Sequence, residues 1–277
     1  MSVRPPLREI ITRHGLTAKR ALGQHFLLDQ NLALRIVRAA GPLTGRHILE
    51  VGPGPGGLTR ALLDSDAETV TVVELDRRAV AAMQDLASQA GPRLSVLAGD
   101  ARKVDVASLV PAPRQIIANL PYNVATPLLV GWLRQASTIE RLTLMFQQEV
   151  ADRICAAPEG DAYGRLSILA QWTCCADLLM RLPPAAFVPP PKVFSAVVRL
   201  IPRNVQPDSK LLATMERLTA AAFGQRRKML RSALKTLGSE QLLRQAGIAP
   251  DRRAETLSVA EFDRLARLLA TSGLQNP

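Results

Sequence analysis

Between residues 47 and 147 the chain alternates short apolar runs with longer stretches whose apolar residues recur every three or four positions. His47–Val51, Val70–Leu75, Leu94–Ala98, Gln115–Ala118 and Arg141–Gln147 are near-continuous apolar runs four to seven residues long. That pattern predicts strands buried on both faces rather than strands with one wet face. Between them, Leu58–Leu63, Arg77–Gln89 and Thr126–Gln135 carry the helical spacing, and an earlier helix is predicted over Gln30–Ala40 after a basic N-terminal arm. Strands alternating with helices at these intervals predict a mostly parallel central sheet with helices on both faces.

After Ala162 the pattern changes. Gly164–Ala176 reads as a helix, the Pro-rich stretch from Met180 as extended chain, and Ala196–Leu200 as a last strand. Pro202–Ser209 is polar, holds two prolines and reads as a linker. Beyond it only helical spacing remains, over Leu211–Phe223, Arg226–Leu237, Gln241–Ala246 and Val259–Ala270. The expectation is an α/β body over residues 1–202 and a small all-helical domain over 203–277.

Charge adds a partner class to this outline. The net charge is +11, and residues 203–277 carry 13 Lys and Arg against 7 Asp and Glu, with the basic residues bunched at 226–235. Such a surplus suits a polyanion, because each phosphate neutralised releases counterions. Arg226, Arg227, Lys228, Arg231 and Lys235 would lie largely on one side of the predicted helix, where they could grip phosphates. The three cysteines include an adjacent pair and no C-x-x-C, so neither a disulfide framework nor a metal site is expected. A reducing, cytoplasmic compartment follows. No secretory core and no run of about 18 apolar residues interrupts the chain, so no membrane partner is expected.

The candidate chemistry sits at strand ends, where open parallel sheets bind ligands. The first strand runs into Glu50-Val51-Gly52-Pro53-Gly54-Pro55-Gly56-Gly57. Gly52, Gly54 and Gly57 satisfy G-x-G-x-x-G, and the acid Glu74 follows at the distance of a ribose ligand, so a nicotinamide oxidoreductase is one reading. Two prolines reduce the N–H donors available to a pyrophosphate, and Glu50 beside the loop suits a cationic ligand. S-adenosyl-L-methionine fits better: it has no phosphate, carries a sulfonium and an ammonium, and offers a ribose to Glu74 and an adenine to Asp100.

The fourth strand is followed by Asn119-Leu120-Pro121-Tyr122. The exocyclic nitrogen of adenine is a poor nucleophile, because its lone pair is delocalised into the ring. Acceptors that hold its protons out of plane would localise that pair. The Asn119 side-chain oxygen and a backbone carbonyl near Leu120 or Pro121 supply two, and Tyr122 can stack on an unpaired base. Methyl transfer is an in-line displacement, so positioning provides most of the catalysis. Phe187, just before three prolines, is a candidate second wall for the base.

These motifs resemble the small-subunit ribosomal RNA adenine N6,N6-dimethyltransferases (the KsgA family). The likeness runs in order from Gly23–Leu27 through Glu50–Thr59, Val73–Arg77, Gly99–Ala101, Asn119–Leu129 and Phe146–Val150. It continues through Ala162–Ser167, Phe187–Val193, Ala222–Lys228 and Arg253–Glu255. The resemblance implies a Rossmann-like class I methyltransferase domain and a helical C-terminal domain that binds RNA or the ribosome. It implies dimethylation of two adjacent adenines in a hairpin near the 3′ end of 16S rRNA, within an immature small subunit, by a protein expected to be a monomer. It implies cofactor contacts at His25, Leu27, Gly52, Gly54, Glu74, Leu75, Asp100, Ala101 and Asn119, and a target base held by Asn119, Leu120, Pro121, Tyr122 and Phe187. The family often has Asn at the position of His25 and commonly Asp at that of Phe194. A methyltransferase of large-subunit rRNA, a DNA adenine methyltransferase and a non-catalytic assembly factor are the other readings of the same residues.

Overall fold

In a computed structural model, which describes residues 4–18, 23–225 and 227–271, the predicted alternation is realised. After α1 (Leu7–Arg13) and a two-residue strand β1 (Phe26–Leu27), α2 (Gln30–Ala39) starts at Asp29, whose carboxylate accepts from the Asn31 and Leu32 amides. This cap satisfies N–H groups that a helix start leaves open. The chain continues through β2 (His47–Val51), α3 (Gly57–Leu63), β3 (Thr69–Glu74), α4 (Arg77–Ala90), β4 (Leu94–Ala98), α5 (Val106–Leu109), β5 (Arg114–Asn119), α6 (Tyr122–Leu133), β6 (Arg141–Gln147) and α7 (Gln148–Cys155). Next come α8 (Arg165–Thr173), β7 (Cys174–Leu182), β8 (Phe187–Val188) and β9 (Ser195–Pro202).

Among the described residues seven strands form one sheet in the order β4-β3-β2-β5-β6-β9-β7. The first five run parallel, and β9 enters antiparallel to β6. β2, β3, β5 and β6 are buried along nearly their whole length, as apolar runs on both faces require. A separate ribbon pairs β1 with β8, setting Leu27 opposite Phe187.

The described residues divide into two compact units, one drawn from 1–151 and 177–201, the other from 152–176 and 202–277. The expected boundary at 202 therefore misses a segment, because residues 152–176 belong with the C-terminal helices. The aromatics of that segment explain why. Tyr163 donates its hydroxyl to the Leu257 carbonyl at 2.8 Å, and the Trp172 indole N–H reaches Asp263 at 2.9 Å. Around them stand α9 (Ser209–Gly224), α10 (Leu230–Ala233), α11 (Ser239–Gln245) and α12 (Val259–Thr271). The Phe223 and Phe262 rings stack at 5.8 Å within this unit.

Other expectations change. The predicted helix 164–176 stops at Thr173, and its last residues enter β7, where sheet pairing prevails over local helical spacing. The predicted helix over 226–237 is broken. Arg226 lies outside the described residues. Met229 is extended and bridges Arg253, and the Leu230 and Arg231 amides donate to the carbonyls of Arg252 and Pro250. Those ties draw the backbone out of helical geometry, leaving α10 and a single 3-10 turn at Lys235–Leu237. The N-terminal arm contains α1, whose Leu7 and Ile10 are buried.

Candidate active site

The strand order reverses between β2 and β5, and both strands end there in loops. β2 leads through its glycine turn into α3, and β5 leads through Leu120 and Pro121 into α6. This is where an open α/β sheet forms its crevice. The two loops touch: a Cβ on Gly52, whose φ is +70°, would lie 3.2 Å from Pro121 Cδ. Gly57 opens α3 directly against the ribbon, where a Cβ would lie 2.2 Å from the Leu27 carbonyl oxygen. The Gly57 approach admits no side chain, and at Gly52 the positive φ together with the tight contact favours glycine.

Two buried carboxylates face the resulting cavity. Glu50 is 1% exposed, and its Oε2 has no hydrogen-bond partner among the described residues. Burial pushes its carboxyl up to about 8; a hydrogen bond from Thr59 opposes this and the charge of Glu74 adds to it. Glu74 accepts from the amides of Leu75 (2.8 Å), Asp76 (2.9 Å) and Gly54 (3.3 Å). Burial raises its pKa too, and those three donors pull it back. Asp100 differs. It caps the short turn after β4 and pairs with Arg102 at 2.7 Å, which holds its carboxyl down at about 2.

Asn119 ends β5. Its Nδ2 donates to the His25 carbonyl at 3.1 Å, so the amide is oriented and its Oδ1 is left as the acceptor. His25 is fixed in turn: its Nδ1 donates to the Pro189 carbonyl at 2.8 Å, and its ring lies 5.2 Å from that of Tyr122. Pro121 sets the entry into α6, and its carbonyl accepts the Val124 amide. The Leu120 carbonyl accepts no backbone N–H among the described residues, which makes it the better second acceptor. The Tyr122 hydroxyl is 2.5 Å from Ser195 Oγ, at the start of β9.

Two neighbouring cavities share Gln24, Gly52, Glu74 and Pro121. His25, Leu27, Gly54, Asn119, Leu120 and Tyr122 line the first, with Glu50. Leu75, Asp100 and Ala101 line the second, of about 270 Å³. Every expected cofactor position thus borders one of the two. Phe187 does not. It is 2% exposed and buried in the core behind the ribbon, as a loop anchor would be. Arg227, Lys228 and Arg231 are exposed on the second unit. Sequence reasoning left out Ser195, which anchors Tyr122 from 73 residues away and has no local signature.

The donor set fits S-adenosyl-L-methionine. Two buried carboxylates, one with an orphaned oxygen, suit a cationic ligand and oppose a pyrophosphate. Among the described residues no group of three or more His, Cys, Asp or Glu could hold a metal ion, and no helix is long and apolar enough to cross a membrane.

Comparison with known proteins agrees. Residues 15–271 match the family model described as ribosomal RNA adenine dimethylase. The chain is 64% identical over 264 residues to ribosomal RNA small subunit methyltransferase A of Gluconobacter oxydans (strain 621H), covering 95% of this chain and 87% of that one. Among solved structures it is similar to a dimethyladenosine transferase from Plasmodium falciparum, with a TM-score of 0.73, 25% identity, and coverage of 87% and 96% of the two chains. It is also similar to the 23S rRNA methyltransferase ErmE, with a TM-score of 0.66, 25% identity, and coverage of 88% and 99%.

Proposed function

The chain belongs to the ribosomal RNA adenine dimethylase family, and from that premise we infer that it methylates N6 of two adjacent adenines in a hairpin near the 3′ end of 16S rRNA. S-adenosyl-L-methionine is the donor and S-adenosyl-L-homocysteine the product. The immature small subunit is the substrate particle, and the enzyme works as a cytoplasmic monomer. The identity of 64% to a small-subunit enzyme favours this target over the 23S rRNA on which the more distant ErmE acts.

The observation that carries the reading is the oriented amide of Asn119. When bound, the donor supplies an electrophilic methyl on a sulfonium. The protein's own part is to prepare N6. Asn119 Oδ1 accepts one N6–H, and the Leu120 carbonyl accepts the other. With both protons held, the lone pair is drawn out of conjugation and aimed along the displacement axis. After the first transfer one N6–H remains for the same acceptors, so the site serves both methylations. Tyr122, tethered through its hydroxyl to Ser195, offers its ring face to the unstacked base. Glu74 places negative charge where a cationic donor is favoured over its neutral-sulfur product, and Glu50 adds to it once the cation's approach ionises its carboxyl.

The test is transfer of labelled methyl to undermethylated small subunits, with nucleoside analysis of the product. Wild type should yield dimethyladenosine. Asn119→Ala should lose on the order of 100-fold or more in kcat, comparable to the loss of one transition-state hydrogen bond. Subunit binding by the wild type without incorporation would move the assignment to an assembly factor, and incorporation into large-subunit particles or duplex DNA instead would move it to those substrates.

A further inference from the structure

Phe194 is an exposed aromatic beside the site that the reaction so far leaves without a role. The chain has only ten aromatic residues, and among the described residues Phe194 is the aromatic among the exposed large hydrophobics, at 49%. Leaving such a ring in water forgoes the burial that usually places it in a core. It is not on a loose tip. Its carbonyl accepts the Gln148 amide at 2.9 Å, where β6 passes into α7. The next residue, Ser195, is buried, starts β9 and holds the Tyr122 hydroxyl at 2.5 Å. Successive Cα atoms are about 3.8 Å apart, so the ring is rooted one residue from the anchor of the base-facing tyrosine. Lys192 and Val193, also exposed, precede it.

Resting on the rRNA methyltransferase reading, we propose that Phe194 is a stacking platform for an unpaired rRNA base next to the target adenine, and so a substrate-binding residue. A target adenine drawn out of its loop leaves its neighbours without one stacking face. An aromatic fixed at the rim can supply that face irrespective of base identity. The cation of Lys192, exposed and two residues earlier in the chain, suits the phosphates of the same strand. The exposed ring and the exposed Lys192 two residues before it match the base and the phosphate of one nucleotide.

The experiment is steady-state methylation of undermethylated small subunits by wild type, Phe194→Ala and Phe194→Tyr. It is paired with fluorescence of a hairpin RNA carrying 2-aminopurine beside the target adenine. Expected are a rise in KM of about tenfold for Phe194→Ala with a smaller change in kcat, near wild-type behaviour for Phe194→Tyr, and quenching by wild type that Phe194→Ala lacks. Binding of S-adenosyl-L-methionine, measured separately, should be the same in all three. Equal KM and equal quenching for wild type and Phe194→Ala would overturn the proposal while leaving the function standing. Failure of Phe194→Tyr to restore KM would also overturn it. Absence of transfer by the wild type would overturn both.

Discussion

Glu50 illustrates how one buried group ties stability to ligand charge. Its carboxyl is raised by burial from the usual value near 4.5 to about 8. Below about 4.5 both folded and unfolded chains hold this proton. Between that value and about 8 the unfolded chain releases it and the folded chain keeps it, so the group's contribution to stability falls as pH rises through the window. Glu50→Gln removes the dependence. Thermal melts without cofactor should show the variant gaining more over wild type at pH 8 than at pH 5.5. Calorimetry above about pH 8, where the Glu50 carboxyl ionises, should show it binding S-adenosyl-L-methionine roughly tenfold more weakly or worse, since a negative charge facing a cation is gone. A stability gain with unchanged affinity would place the cofactor's cations elsewhere. At this scale the sequence put Asn119, Glu74 and Asp100 at strand ends, and all three border the cavities. It was uninformative where a partner comes from far along the chain. Nothing near Asn119 says that the His25 carbonyl, 94 residues earlier, orients it.

The elements holding the site depend on close backbone approach. Gly57 is the sharpest case, because the atom its Cβ would meet belongs to the Leu27 backbone rather than a side chain able to swing away. Gly57→Ala should cost about 1–3 kcal/mol, read as a lower denaturation midpoint, through forced displacement of β1. Since His25 precedes β1 and orients Asn119, the same variant should lose kcat beyond what its stability explains. The strand–helix alternation was legible because apolar runs and helical spacing are local properties. The β1–β8 ribbon was not: two residues pairing with two others about 160 positions away leave no periodicity to read. The same limit hid β7, whose sheet neighbour comes later in the chain, and it let basic residues at i, i+3 and i+4 pass for a helix that the Met229–Arg253 bridge breaks.

For the molecule as a whole, the charge of +11 makes its grip on rRNA an ionic-strength question. Affinity for small subunits should fall steeply between about 50 and 200 mM salt, commonly by about a thousandfold or more where about six phosphates are neutralised. Replacing Arg227, Lys228 and Arg231 with alanine should lower the slope of log affinity against log salt by about one for each phosphate left without its cation. An unchanged slope would place the phosphate-binding cations elsewhere. The body's class was legible from its pattern, but its edge was not, because the buried aromatics of 152–176 read equally well as part of either unit. Strand order has a last consequence, for synthesis. β9, the final strand made, inserts between β6 and β7, and Ser195 at its start steadies Tyr122, while β8 closes on β1. A nascent chain emerging from its exit tunnel therefore holds every residue of the glycine turn and of Asn119–Tyr122 long before it can arrange them. By this strand order the site's arrangement is complete only once the chain through residue 202 is free to fold, so the translating machine makes all of the catalytic residues well before the architecture that aligns them.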